Sequence, residues 1–218
     1  MPQVLEISSF HPQDALIRLA VETLKAGGVV AFPTETFYGL AVDATDDAAI
    51  GQIFRIKGRS FSNPIALIAG DQVEFGDFVA EIPAAAQALM QTFWPGPLTL
   101  LFAAAPRVSP RLTAGTGKIG VRISSHPIAN ALANGLGGAI TATSANLAGG
   151  PECRTAQEVL ACLGGQLDLV IDGGATPGGK GSTILDLTTD APVCLRDGAV
   201  SAARIFQAIN NMKEKTTP

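Results

Sequence analysis

The chain has 218 residues, of which 47% are hydrophobic and 16% charged. That supplies enough apolar material for one large α/β domain or two small ones, and too much for disorder anywhere but the ends. The formal net charge of −4, with 15 Lys and Arg against 19 Asp and Glu, argues against a bulk nucleic-acid coat while leaving room for a local basic pocket.

Three cysteines, Cys153, Cys162 and Cys194, are odd in number and widely spaced. Neither a disulfide framework nor a zinc module is expected, and inert thiols in a reducing cytosol are. No apolar run reaches the roughly 18 residues of a membrane span, and no charged-then-apolar leader opens the chain.

The apolar pattern switches between two periods along the chain. Val4–Ile7 reads as a strand. Asp14–Lys25 reads as an amphipathic helix with Leu16, Leu19, Ala20 and Leu24 on one face, stopped by Gly27-Gly28. Val29–Phe32 is a buried strand running into Pro33-Thr34-Glu35-Thr36. Asp46–Lys57 is a helix with Gly58 as its stop, and Ile65–Ala69 a short strand. Pro83–Phe93 is helical until Trp94-Pro95-Gly96-Pro97, which no helix crosses. Leu98–Ala103 and Ile119–Ile123 are strands, Ile128–Ala133 a short helix, and Ala139–Thr143 a strand leading into Ser144-Ala145-Asn146. Thr155 with Glu158 forms a capping box for a helix through Leu163. Leu169–Ile171, Thr183–Leu187 and Val193–Leu195 are strands. Ser201 caps a closing helix to Ile209, and the polar tail Lys213–Pro218 reads as frayed. Strands and helices interleave without repeat or linker, which favours one α/β domain.

Several motifs fail on context. Gly115-Thr-Gly117-Lys-Ile-Gly120 has dinucleotide-fingerprint spacing but leads into a strand, where a helix is required. Gly174-Ala-Thr-Pro-Gly-Gly179-Lys180 falls one residue short of a P-loop and is followed by Gly181 and a strand. Its N–H groups are a candidate phosphate nest, or it is a plain connector. Ser144 with His126 lacks the nucleophile elbow of a hydrolase.

Four clusters remain, at strand ends and turns where sites are usually built. Thr34 and Thr36 offer hydroxyls after a buried strand, for a ligand or for turn chemistry. Lys57 and Arg59 close a helix, as anion binders or as cations favoured by its dipole. Arg122 interrupts an apolar strand and needs a partner, either a structural carboxylate or one on a ligand. Thr141 to Asn146, with Ser182, Thr183 and Arg196, has the small hydroxyls, amide and guanidinium of a nucleotide pocket.

These clusters carry a resemblance. Phe32-Pro-Thr-Glu-Thr-Phe-Tyr-Gly-Leu40, Ile53-Phe-Arg-Ile-Lys-Gly-Arg59, Trp94-Pro-Gly-Pro-Leu-Thr99, Val121-Arg122, Thr143-Ser-Ala-Asn146, Gly173-Gly174, Ser182-Thr-Ile184 and Leu195-Arg196 resemble, in order, the YrdC family of L-threonylcarbamoyladenylate synthases. The resemblance runs from about residue 10 to residue 208, with residues 1–9 an N-terminal strand or arm and residues 209–218 a frayed tail. It implies a single-domain α/β fold, a twisted mixed sheet flanked by helices around an open, positively lined concave cavity.

The implied reaction joins L-threonine, bicarbonate or CO₂, and ATP with Mg²⁺, giving threonylcarbamoyl-AMP and pyrophosphate. A downstream transferase complex then modifies adenosine 37 of tRNAs that read ANN codons. A cytoplasmic site follows, with no membrane partner and weak direct tRNA binding as an option.

Carried over residue by residue, Lys57 and Arg59 match the catalytic cations on the phosphates. Thr34, Arg122, Ala142 and Ser182 match the threonine and carbamate positions. Lys118, Ser144, Asn146 and Arg196 match the nucleotide side. The alternative is a paralogue that binds RNA or nucleotide without synthesis. Ser60, Ser124 and Asp197 replace prolines common in relatives and are expected to loosen their loops. Lys118 and Ile68 replace a Thr and a His common there, which bears on the fine contacts to ATP and threonine. The chain stops after the closing helix, as expected for the form without a second domain.

Overall fold

The computed structural model describes residues 1–70 and 74–216. In chain order the first half carries β1 (Gln3–Glu6), α1 (Asp14–Lys25), β2 (Val30–Phe32), β3 (Gly39–Ala41), α2 (Asp47–Lys57), β4 (Ala66–Ala69), α3 (Ala84–Phe93) and β5 (Leu98–Ala103). The second half carries α4 (Pro110–Thr113), β6 (Lys118–Arg122), α5 (Pro127–Leu136), β7 (Ala139–Ser144), α6 (Ala156–Leu163), β8 (Leu169–Asp172), β9 (Thr183–Asp186), β10 (Val193–Arg196) and α7 (Ala202–Thr216).

The strands form one mixed sheet in the order β1-β8-β2-β3-β7-β4-β6-β5-β9-β10. β1, β8 and β2 run parallel, as do β4 with β6 and β5 with β9. β3 and β7 pair antiparallel between these groups, so the middle of the sheet reverses direction.

Side chains alternate across the sheet with the period of two that strands impose. Ala31, Leu40, Leu67 and Val170 enter one core with Ile50, Ile53, Phe54 and Leu89 of α2 and α3. Their strand neighbours Val30, Phe32, Ala41, Ile68, Leu169 and Ile171 enter the other, with Ile17, Leu24, Ile128 and Leu132 of α1 and α5. Both faces are therefore covered, as parallel segments of a sheet require.

Most elements lie within a residue or two of where the pattern predicts them, and α1 and β5 coincide with it. Three differences have physical reasons. β3 is only Gly-Leu-Ala, too short to show a period, and pairing to β2 and β7 makes it a strand. α4 is a single turn with Pro110 in its first turn and Ser109 as its cap. The closing helix runs past Ile209 to Thr216, because Met212, Lys213 and Glu214 are good helix formers and neither Gly nor Pro interrupts them. Pro218, at the end of the expected tail, lies outside the described residues.

The local chemistry that places the site is legible in α2. Asp46 accepts from Ala48 N at 2.9 Å and Ala49 N at 3.0 Å, starting the helix. Gly58 ends it in the left-handed region at φ 61°, a conformation costly for any residue with a Cβ. Lys57 is thus the last residue of α2, and the chain turns sharply before Arg59.

Candidate active site

An open cavity of about 230 Å³ lies where β2, β5, β6, β7, β9 and β10 present their ends and adjoining turns. Thr34, Arg59, Arg122, Ala142, Ser144, Ser182 and Arg196 stand on its wall. Seven of the ten expected residues, far apart in sequence, therefore meet in one hollow. Lys57, Lys118 and Asn146 are not on that wall.

Thr34 follows β2 and is 3% exposed. Its hydroxyl donates to Phe37 O at 2.7 Å and accepts from Thr36 N at 3.1 Å, so it closes a turn. Thr36 Oγ1 lies 3.1 Å away. The turn reading and the wall position hold together.

Arg122 ends β6. Its Nη1 pairs with Glu35 Oε1, while Glu35 Oε2 accepts from Ser124 Oγ. The structural carboxylate that a buried arginine requires is therefore Glu35. Among the described residues, Nε and Nη2 of Arg122 have no hydrogen-bond partner, and the side chain still lines the cavity.

Arg59 lies over the Phe54 ring at 5.3 Å. Its Nη2 reaches Asn63 O and Pro64 O only at 3.4 Å, and its Nε is buried with no partner among the described residues. Burial holds its pKa below the ordinary guanidinium value, yet it remains a cation. Arg196 donates through Nε to Ser182 O at 2.8 Å and through Nη2 to Ser182 Oγ at 3.0 Å. Thr99 Oγ1 lies 2.9 Å from the same Ser182 hydroxyl. The wall thus carries three guanidinium groups, with Glu152 as the carboxylate among its lining residues and Glu35 behind Arg122. In a chain of net charge −4 this is a local concentration of positive charge.

Lys57 sits behind the wall, 3% exposed. Its ammonium donates to Ser144 O, to Asn146 O at 2.9 Å and to Asn146 Oδ1 at 3.0 Å. Asn146 Oδ1 also accepts from Ser144 Oγ at 2.7 Å, and its Nδ2 donates to Gly150 O at 2.6 Å. The expected cation on the phosphates is instead committed to carbonyl oxygens of the turn after β7.

Lys118 begins β6, four residues from Arg122, and pairs with Asp186 at 2.7 Å. At about 3.3 Å per residue it is some 13 Å along the strand from the cavity end. Ile68 is fully buried in the core shared with α1 and α5 and is also off the wall, so its departure from the common His changes a core position here.

Two expected loosened loops are tied. Ser124 binds Glu35, and Asp197 accepts from Ala202 N at 2.8 Å and from Lys180 at 3.0 Å. The candidate phosphate nest is likewise engaged at three N–H groups: Gly174 N donates to Asp172 Oδ1 at 2.9 Å, Thr176 N to Arg154 O at 2.9 Å and Gly178 N to Thr36 O at 2.8 Å. His126 caps α5 through Nδ1 and faces Ser9, not Ser144.

Glu35, Tyr38, Thr99 and Glu152 join the site without having been singled out. Tyr38 is fully buried, donates to Gly174 O at 2.8 Å and accepts from Gly173 N at 3.3 Å, tying the turn after β8 to β3. The signal for Glu35 was present: an acid directly after a buried strand, in a chain with a buried arginine to satisfy.

Residues 22–198 match the model of the Sua5/YciO/YrdC family, which bears the description "Telomere recombination". The chain belongs to this family. It is 40% identical over 205 residues to the threonylcarbamoyl-AMP synthase of Bacillus subtilis, covering 94% of this chain and 58% of that one. The structure of Pyrococcus abyssi Sua5 complexed with L-threonine superposes with a TM-score of 0.91 at 36% identity, over 94% of this chain and 60% of that one. Escherichia coli YciO superposes with a TM-score of 0.85 at 34% identity, over 94% of this chain and 100% of that one. The chain thus spans about three fifths of the first two relatives, and it shares its fold, a mixed sheet flanked by helices, with the Sua5 and YciO structures.

Proposed function

We propose that the protein makes threonylcarbamoyl-AMP from L-threonine, CO₂ or bicarbonate, and ATP, releasing pyrophosphate. The observation that carries this reading is the meeting of Arg122 with Arg59 and Arg196 in one cavity of a family member. A carboxylate-binding fork and cations suited to phosphates then lie within reach of a single pair of substrates.

In the reaction the threonine amine adds to CO₂ and loses a proton, giving a carbamate. A carbamate oxygen attacks the α-phosphorus of ATP, and the bond to pyrophosphate breaks. Neither step needs a covalent bond to the protein, so positioning and charge stabilisation supply the acceleration.

Arg122 holds the threonine carboxylate through the donors that Glu35 leaves free. Thr34 shapes the wall beside it, the backbone at Ala142 meets the amino-acid moiety, and Ser182 presents its hydroxyl to the carbamate. Arg59 is the catalytic cation at the phosphates. Arg196 and Ser144 lie on the nucleotide side. Lys57 and Asn146 act from behind the wall by fixing the turn that carries Ser144. Mg²⁺ enters with ATP as part of the substrate. Glu152, an exposed carboxylate on the wall, suits an ion that keeps its waters and takes most of its oxygens from phosphate.

A transferase complex acting on tRNA is the consumer of the product, and the cytoplasm is the compartment where these substrates meet. Among the described residues, no helix is long and apolar enough to cross a membrane. The test is direct. The protein is incubated with threonine, bicarbonate and MgATP in the presence of pyrophosphatase, and phosphate is measured. Threonine-dependent release is expected, and its absence overturns the reading in favour of a nucleotide- or RNA-binding module.

A further inference from the structure

Two guanidinium groups of the cavity differ in how their charge is met. Arg122 is ion-paired with Glu35, and the two side chains are nearly enclosed, 7% and 12% exposed. The second Glu35 oxygen is anchored by Ser124 Oγ, so the carboxylate is held at both ends. Arg59 has an orphaned buried Nε and two long contacts to carbonyls. Among the described residues, no carboxylate lies within ion-pair distance of it.

Of the three guanidinium groups on the wall, Arg122 is therefore ion-paired, while Arg59 and Arg196 have no ion-pair partner among the described residues, Arg196 being hydrogen-bonded to Ser182. In a partly enclosed site that difference governs which anion each attracts. A polyphosphate carries several charges and is drawn to the full charge of Arg59. At Arg122 it meets a pair of near-zero net charge and the repulsion of a fixed carboxylate close behind. A monoanionic carboxylate loses little there, because the free N–H donors of Arg122 still offer it directed hydrogen bonds.

We infer that Glu35 is a specificity-determining residue, which neutralises Arg122 so that this subsite takes an amino-acid carboxylate and the nucleotide's phosphates stay on Arg59. The inference rests on the synthase reading, which brings a carboxylate and a polyphosphate into the same cavity. Glu35 is not on the cavity wall and acts through Arg122.

Calorimetric titration of the full chain with L-threonine and inorganic tripolyphosphate tests it, each ligand alone and against a saturating amount of the other. In the wild type the two bind together, and tripolyphosphate changes threonine affinity by less than about threefold. Glu35→Gln keeps the shape and an acceptor for Arg122 while freeing its charge. In this variant tripolyphosphate weakens threonine binding by about tenfold or more, and added salt abolishes the effect. Threonine binding as indifferent to tripolyphosphate in Glu35→Gln as in the wild type overturns the inference and leaves the synthase reading standing. A wild type that binds no threonine overturns both.

A second comparison decides the matter should Glu35→Gln fail to fold. Arg122→Met keeps tripolyphosphate affinity within about threefold, whereas Arg59→Met lowers it by about tenfold or more. Equal losses in the two variants overturn the inference.

Discussion

The Lys57 ammonium holds Asn146 twice, donating to its backbone carbonyl at 2.9 Å and to its side-chain oxygen at 3.0 Å. With a third bond to Ser144 O, the last residue of α2 is fastened to the turn that follows β7. Ala148 N returns a bond to Lys57 O at 2.9 Å, so the attachment runs both ways. Lys57→Met removes the donors and leaves the carbonyls without them. Turnover in the pyrophosphate assay is expected to fall at least about tenfold, roughly 1.4 kcal/mol of barrier. An unchanged rate would remove Lys57 from the machinery.

Burial, and after it the positive charge of Arg59, pull the Lys57 ammonium down to about 8. As pH rises through that value the amine loses a donor and its hold on the turn weakens, so activity falls. Stability moves the other way. The unfolded chain keeps this proton to the ordinary lysine value of 10.5, so between about 8 and 10.5 the unfolded state binds more protons. Over that window this group makes the folded state more stable with rising pH. The expected result is an alkaline loss of turnover near pH 8 that no drop in melting temperature accompanies. In Arg59→Gln, measured on its residual rate, the limb moves upward because a repelling charge is gone.

Arg59→Ala removes one of the two wall cations that have no ion-pair partner among the described residues. Turnover is expected to fall at least about tenfold, with the apparent affinity for ATP reduced more than that for threonine. Melting temperature should change little, because the lost guanidinium has an orphaned buried Nε and only weak contacts to set against its removal. A large loss of stability would mean that Arg59 is a structural residue.

The residues that punctuate the chain made much of this structure readable. Asp46 and Gly58 bracket α2, and Thr155 caps α6 by accepting from Glu158 N at 3.2 Å. The Glu158 carboxylate, however, reaches Arg154 N and not the cap's own N–H, so half of that expected box is displaced by one residue. The cavity was legible as strings of residue types at strand ends. What spacing does not contain is the direction of a long side chain. Lys57 and Arg59 are two residues apart, yet one points to carbonyls behind the wall and the other into the cavity. Lys118 and Arg122 share a strand face by parity, and only the length of β6 separates the ion pair with buried Asp186 from the site. The partner of Arg122 also required the fold, since Glu35 and Arg122 are joined through the packing of distant segments.

Tyr38 provides a prediction about alkaline stability. Burial, more than the nearby Asp172, pushes its phenol up to about 12 from an ordinary value of 10.0. The folded state holds the proton more tightly than the unfolded one. The stabilisation is therefore fully present below about pH 10 and is lost as pH rises toward 12, by up to roughly 3 kcal/mol. Tyr38→Phe should flatten that decline in denaturant titrations above pH 10. At neutral pH it should cost about 1–3 kcal/mol, because Gly174 O and Gly173 N lose their partner. A variant whose stability falls with pH as steeply as the wild type would place the alkaline sensitivity elsewhere.

Gly198 lies against the backbone of Gly181, Ser182 and Thr183, where the chain enters β9. A Cβ there would stand 2.3 Å from Gly181 O, 2.6 Å from Ser182 C and 2.6 Å from Thr183 N. All three are backbone atoms that cannot rotate away, so Gly198→Ala must displace either the turn after β10 or the start of β9. Thr183 resists the first choice, because its hydroxyl accepts from Gly198 N and Val200 N, both at 3.1 Å. The second choice moves Ser182 relative to Arg196 and Thr99, which hold its hydroxyl at 3.0 and 2.9 Å. Gly198→Ala is accordingly expected to destabilise the protein by about 1–3 kcal/mol, the range for overpacking. Its turnover should also fall at temperatures where the variant remains fully folded. Gly165→Ala, where no atom lies within 4 Å of the added carbon, is the control and should leave both quantities unchanged. Full activity in folded Gly198→Ala would show that the exact seat of Ser182 does not matter to the reaction.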